Sequence, residues 1–326
     1  MHAVLEELKK IGIIPVIKID DADKAVPLAK ALIAGGIPCA EVTFRTAQGE
    51  EAMRRINAEL CPGENPGILL GAGTVLTVAQ VDKAVAAGAK FIVSPGFNPK
   101  VVSYCVEKGI PVTPGCSSPS DIEMALEMGL DAVKFFPAEQ AGGLEYIKAI
   151  AAPYTSMHFI PTGGINAQNI ARYIAFEKVI ACGGSWMVNA DLIGSGDFAR
   201  ISALCREAQF SLLGLSMAHI GINAENEGAA VKAADRFSAL FGFPNRAGNS
   251  SIFSGDGIEI MKSPYLGRNG HIAIATNTMF RAMAFFERQG IEFNTESART
   301  DSGGNVTAIY FREEIAGFAI HLVNKK

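Results

Sequence analysis

The sequence predicts an α/β chain in two parts: a (β/α)8 barrel of the TIM type over residues 1–210, then a smaller α+β domain of paired βαβββ modules over residues 214–326. Three observations carry this. Short β-rich runs alternate with helical patterns through roughly the first 208 residues, and eight such units suit a closed barrel at the small end of its size range. The rest of the chain drops that rhythm and repeats a different one. The length of 326 residues itself calls for about two domains.

In chain order the strand runs read Ile13–Ile19, Ala40–Phe44, Ile68–Gly71, Phe91–Ser94, Pro111–Pro114, Ala132–Phe136, Phe159–Pro161 and Val179–Ala181. Helix patterns lie between them, among them Ala22–Gly35, Val78–Gly88, Pro99–Lys108 and Pro119–Gly129. Several close on glycine, a C-cap signature. A doubly wound open sheet is the competing topology, and eight similar units favour closure. Barrel enzymes keep their chemistry where strands end and βα loops begin.

The first strand ends near Lys18, a cation at the barrel mouth. The second carries Glu41, Thr43 and Arg45 on one face, because strand side chains alternate. A carboxylate there can move protons and an arginine can hold a substrate carboxylate, although a plain Glu–Arg ion pair fits the same spacing. The third ends in Gly71-Ala72-Gly73-Thr74, small residues with one hydroxyl. The fourth and fifth end in Ser94-Pro95-Gly96 and Thr113-Pro114-Gly115, which read first as turns.

The sixth strand, inside Asp131-Ala132-Val133-Lys134-Phe135-Phe136-Pro137-Ala138-Glu139, sets one lysine among apolar residues. Desolvation there disfavours the ammonium form and frees an amine that can form a Schiff base. The plain reading is a lysine whose stem packs while its head reaches water. The seventh and eighth end in Thr162-Gly163-Gly164 and Gly183-Gly184-Ser185-Trp186. Paired glycines there can turn backbone N–H groups toward an anion, and phosphate sites in such barrels often follow strands seven and eight.

Hydrophobic residues make up 49% and charged ones 19%, enough apolar material for sizeable cores. A net charge of -4 argues against a nucleic-acid partner. Six cysteines without CxxC spacing read as reduced thiols of a cytoplasmic protein. The first residues lack a signal-peptide core, and no stretch approaches the ~20 apolar residues of a membrane span.

Taken together, the barrel residues resemble the KDPG/KHG aldolases (2-dehydro-3-deoxy-phosphogluconate and 4-hydroxy-2-oxoglutarate aldolases) over about residues 8–208. The resemblance rests on Glu41-Val42-Thr43-Phe44-Arg45-Thr46, Gly71-Ala72-Gly73-Thr74-Val75, Ser94-Pro95-Gly96, the Lys134–Glu139 run, Pro161-Thr162-Gly163-Gly164-Ile165 and Gly183-Gly184-Ser185-Trp186, in that order. It implies a class I aldolase acting on a small 2-keto acid, with no cofactor, as a homotrimer. It implies Lys134 as the Schiff-base lysine and Glu41 as the proton-transfer residue. It further implies Arg45 and Thr74 near the pyruvate carboxylate, Pro95 and Thr162 beside the substrate, and Gly163, Gly164, Gly184 and Ser185 around a phosphate. Lys18 stands where many relatives have arginine. Another phosphate-binding barrel, such as an epimerase, is the rival reading and would not need Lys134.

Beyond a short linker read at Ser211–Gly214, Ala218-His219-Ile220-Gly221-Ile222-Asn223 precedes a helix pattern with Ala230, Ala234, Phe237 and Phe241. A strand through Ser251–Phe253, an Asp256-Gly257 hairpin signal and Ile258-Glu259-Ile260 follow. The cycle restarts at Gly270-His271-Ile272-Ala273-Ile274, with a helix carrying Met279, Ala282, Met283 and Phe286, a strand at Val306–Phe311 and a last one at Phe318–Val323. This resembles the vicinal oxygen chelate (glyoxalase-like) fold. The resemblance implies a divalent-metal site at His219, Glu259, His271 and His321, the last of these standing where glyoxalase-like members usually have Glu. Histidines with a carboxylate suit Zn, Fe, Ni or Mn. A non-catalytic assembly or binding module is the competing reading of this half.

Overall fold

The computed structural model describes residues 1–62 and 67–325. The chain divides into two compact units, Met1–Leu212 and Leu213–Lys326.

In the first unit, α1 (Ala3–Ile11) precedes eight strands: β1 (Ile13–Ile17), β2 (Cys39–Thr43), β3 (Leu69–Gly73), β4 (Phe91–Val93), β5 (Val112–Thr113), β6 (Ala132–Phe135), β7 (His158–Pro161) and β8 (Cys182–Gly184). Helices α2 (Ala25–Ala34), α3 (Gly49–Leu60), α4 (Val78–Ala86), α5 (Pro99–Glu107), α6 (Pro119–Glu127), α7 (Gly143–Ala151) and α8 (Ile170–Ile174) follow β1 to β7 in turn. Two more, α9 (Ala190–Ser195) and α10 (Phe198–Leu213), follow β8. The strands are buried on both faces, as parallel strands under helices must be. Local signals set where helices begin. Thr77 with Gln80 and Ser118 with Asp121 form capping boxes, and Asn98 caps a helix that opens on Pro99.

Parallel pairing runs β5-β4-β3-β2-β1-β8 in one sheet and β6-β7 in another. Backbone bridges join the two: Gly115 with Lys134 on one side, Phe159 with Val179 and Thr162 with Gly183 on the other. The curled parallel sheet therefore leads from β5 through β6 and β7 back to β8. Along this circuit β2 and β6 lie four strands apart in either direction.

The second unit runs β9 (Ser216–Asn223), α11 (Glu227–Phe241), β10 (Asn245–Ala247), β11 (Ser251–Ser254) and β12 (Ile258–Met261). It then runs β13 (His271–Thr276), α12 (Met279–Arg288), β14 (Phe293–Thr300), β15 (Val306–Ile315) and β16 (Phe318–Asn324). All eight strands form one sheet ordered β10-β11-β12-β9-β13-β16-β15-β14. The halves meet where β9 pairs antiparallel with β13. Ala230 and Ala234 of α11 pack on Ile252 and Ile260.

Four expectations need correction. Ser211–Leu213 is no linker: α10 continues through it, burying Gln209, Leu212 and Leu213, and only Gly214 leaves the helix with φ +58°. The eighth strand lies at Cys182–Gly184, because these residues, not Val179–Ala181, pair with β1. Phe241 closes α11 but is 60% exposed rather than part of its buried face. Finally, β10 and β14 lack a sequence reading because they are polar outer strands without apolar alternation. Among the described residues, no helix is long and apolar enough to cross a membrane.

Candidate active site and metal centre

Glu41 projects from β2 and Lys134 from β6, strands on opposite sides of the circuit. Their side chains can meet only across the interior, and they do: Lys134 Nζ stands 3.4 Å from Glu41 Oε1. Both are buried, with Lys134 7% and Glu41 2% exposed. The Glu41–Arg45 pair that the spacing allowed is replaced by this one. Arg45 lies past the end of β2, exposed, and its Nε donates to Thr43 Oγ1 at 3.2 Å. Thr43 in turn donates to the Ile17 carbonyl at 2.7 Å, tying β2 to β1. Below Glu41 on the same face, Cys39 has its thiol pushed far up, by burial first and by the Glu41 charge second.

Glycine makes room for this pair. A Cβ on Gly73 of β3 would fall 2.3 Å from Glu41 Oε1. The next residue, Thr74, holds φ +56°, a left-handed conformation that non-glycine residues seldom adopt outside functional sites. Phe136, which sequence reasoning left without a role, is 38% exposed and places its ring centroid 5.5 Å from Lys134 Nζ.

The ends of β7 and β8 come together. Thr162 bridges Gly183, and a Cβ on Gly183 would fall 2.3 Å from Thr162 Oγ1. That hydroxyl is buried and has no hydrogen-bond partner among the described residues, so it is free to meet a ligand. Gly163 and Gly164 hold φ +102° and +78°. Gly184 is buried and Ser185 exposed. The exit of β6 is stitched to this loop, with Ala138 N donating to Thr162 O at 2.8 Å and Glu139 N to Gly163 O at 3.1 Å. Glu139 also accepts from Arg172 at 2.9 Å and from the Tyr173 hydroxyl. Lys18 is exposed and paired with Asp20 at 2.9 Å, and Pro95 is exposed at the end of β4.

A family model described as KDPG and KHG aldolase matches residues 4–204. The chain belongs to this aldolase family. It is 51% identical over 207 residues to the 2-dehydro-3-deoxy-phosphogluconate aldolase of Treponema pallidum, covering 64% of this chain and 96% of that one. It is 42% identical over 196 residues to the KHG/KDPG aldolase of Escherichia coli, covering 60% of this chain and 90% of that one. Among solved structures it resembles the KDPG aldolase of Legionella pneumophila with pyruvate captured as a covalent carbinolamine, at TM-score 0.59 and 38% identity, covering 63% of this chain and 97% of that one.

In the second unit of this aldolase, His219, Glu259, His271 and His321 project from β9, β12, β13 and β16, four adjacent strands. All four predicted residues converge. His219 Nε2 lies 3.2 Å from His271 Nε2. Glu259 Oε2 lies 3.0 Å from the first and 3.1 Å from the second. One ring nitrogen of each histidine lies within 4.8 Å of the others. Gly221 permits this approach, since a Cβ there would stand 2.0 Å from the His271 ring. Two supporting residues escaped sequence reasoning. Ser251 donates to Glu259 Oε1 at 2.6 Å, and Tyr310 stacks on His321 with ring centroids 4.4 Å apart. Register could have found Tyr310, which lies directly opposite His321 across β15 and β16.

Burial raises the Glu259 carboxyl, but hydrogen bonds from His219, His271 and Ser251 outweigh it and hold the group well below the usual range. Burial first, then the two neighbouring histidines, push His321 down to about 3. Both nitrogens of His321 and Nδ1 of His271 are buried with no hydrogen-bond partner among the described residues.

Proposed function

We propose that residues 1–210 form a (β/α)8 barrel acting as a class I aldolase that cleaves 2-dehydro-3-deoxy-6-phosphogluconate to pyruvate and glyceraldehyde 3-phosphate. The observation that carries this is Lys134 Nζ, buried in the interior 3.4 Å from Glu41 Oε1. Two groups that must exchange protons are already within reach of each other. Glu41 accepts a proton from Lys134, and the free amine adds to the C2 carbonyl. The carbinolamine loses water, with Glu41 delivering the proton to the leaving hydroxyl, and an iminium forms. Glu41 then takes the C4 hydroxyl proton. The C3–C4 bond breaks, its electrons flow into the iminium, and C4 leaves as the aldehyde. Protonation of C3 and hydrolysis of the imine return pyruvate and the lysine amine.

Arg45 and Thr74 bind the pyruvate carboxylate, Pro95 and Thr162 line the substrate, and Gly163, Gly164, Gly184 and Ser185 hold the phosphate, with Lys18 as its cation. The Lys18–Asp20 pair favours a second reading for the same chemistry. A cation already neutralised holds phosphate less strongly, which admits 4-hydroxy-2-oxoglutarate and unphosphorylated 2-keto-3-deoxy acids. Pyruvate release measured across these acids separates the two. A higher kcat/KM for the phosphorylated acid is expected, and equal values would refute phosphate recognition. The family resemblance adds a homotrimer, and the cysteines, read as reduced thiols, a cytoplasmic setting.

We further propose that residues 214–326 are a vicinal oxygen chelate domain binding one divalent metal through His219, Glu259, His271 and His321. Donor atoms bound 2.0–2.2 Å from one ion stand roughly 2.9–3.5 Å apart, the spacing that His219, His271 and Glu259 already have. The unpartnered nitrogens of buried His321 suit a ligand better than a structural histidine. Such an ion supplies Lewis acidity; Ser251 fixes the second oxygen of Glu259, and Tyr310 sets the His321 ring plane. Metal analysis after reloading should find one ion per chain, lost in His271→Ala. A wild-type chain that takes up none would overturn the site.

A further inference from the structure

The cavity over the four-residue cluster has a charge pattern that the cluster does not explain. Its volume is about 600 Å³. Beside His321 on the same sheet face runs a row of small residues: Val323 pairs with Ala275 on one side and with Ala308 on the other. Arg299 pairs with Ala308 and ends the row. All of these line the cavity, so Arg299 stands one row from the cluster across a small apolar floor.

The other charged groups of the cavity are engaged. Arg246 pairs with Asp256 at 2.9 Å, Glu259 is held by His219 and His271, and Lys325 Nζ donates to the Gly214 carbonyl at 3.2 Å. Among the described residues, the Arg299 side chain has no ion pair or hydrogen bond, while its charge acts on both Tyr310 and His321. A divalent ion neutralised by one carboxylate keeps a positive charge, and Arg299 and Lys325 add two more. The space between ion and arginine therefore suits an anion. Its apolar floor and size suit a small organic molecule.

We propose that this cavity binds a small organic acid, with its carboxylate held by the fork of Arg299 and a second oxygen group reaching the metal. This rests on the metal ion proposed above. The test uses the full chain loaded with Zn(II) and dialysed, then titrated calorimetrically with malonate. Parallel titrations use malonamide, inorganic phosphate, metal-free protein, and the Arg299→Gln and Arg299→Lys variants. Malonate should bind the loaded wild type and malonamide should not. Arg299→Gln should keep its metal and its circular dichroism yet bind malonate tenfold or more weakly, as loss of a charged hydrogen bond requires. Arg299→Lys, which keeps the charge without the fork, should fall between. Unchanged malonate affinity in Arg299→Gln, binding of phosphate but not malonate, or loss of the metal to malonate would overturn the proposal. Metal content is read before any acid is added. A chain that takes up no metal refutes the ion and the acid site together, and normal uptake without malonate binding refutes the acid site alone.

Discussion

Glu41 has one partner it could find only through folding, Lys134, ninety-three positions away in sequence. With its carboxylate replaced by an amide, the site should keep its shape and lose the proton carrier proposed for it. Glu41→Gln should lower kcat by roughly 10² to 10⁴ while borohydride trapping of pyruvate stays detectable but slow. A variant that turns over at the wild-type rate would remove Glu41 from the chemistry. Lys134 itself was legible because a single lysine stood in an apolar strand. Its partner was legible only through the family resemblance, since spacing along β2 by itself pointed to a Glu41–Arg45 pair and only the curl of the sheet brings Glu41 to Lys134. Likewise the histidines showed in the repeated His-Ile pattern, whereas Ser251 and Tyr310 reach the cluster, and Arg299 the row beside it, through strand register, which no local pattern displays.

Strands β2, β3 and β6 divide the work between them: one carries the carboxylate, one withdraws to make room, one carries the amine. A methyl group at Gly73 would meet Glu41 Oε1 at 2.3 Å. Gly73→Ala should therefore swing the carboxylate off Lys134 and lower kcat/KM by about 10²-fold, the cost of a displacement near 1 Å at a reacting group. Unfolding by denaturant should shift far less than activity. A Gly73→Ala enzyme with wild-type kcat/KM would show that β3 does not set the Glu41 position. Element types followed from apolar runs and glycine stops. Boundaries drifted where pairing decides them, as in β8. The outer strands β10 and β14 were invisible because they are polar along most of their length, and the supposed linker was helix because its apolar face simply continues in Leu212 and Leu213.

Across the whole chain the reactive residue types are segregated. All six cysteines precede Leu213, as does Trp186, the one tryptophan, whereas three of the five histidines follow it. Burial pushes Cys105 up to about 11 and Cys116 and Cys205 up to about 12, from an ordinary thiol value of 9.0. The folded chain thus keeps protons that the unfolded chain releases, so the stabilisation is complete below pH 9 and is lost as pH rises from about 9 toward 12. Trp186 fluorescence, which reports the first unit alone, should show its urea midpoint falling over that window, and a flat midpoint would contradict the buried thiols. The division of the chain was readable from the change of rhythm near residue 210, but the convergence of each site was legible only through the family resemblances, because both are assembled from strands far apart in sequence. Everything proposed for the first unit turns on which amine captures the keto acid. Pyruvate with borohydride, followed by peptide mapping of the full chain, measures this directly. One reduced pyruvyl adduct per chain on the peptide containing Lys134, absent from Lys134→Met, is the expected result; an equal yield on another lysine, or unchanged labelling of Lys134→Met, would contradict it.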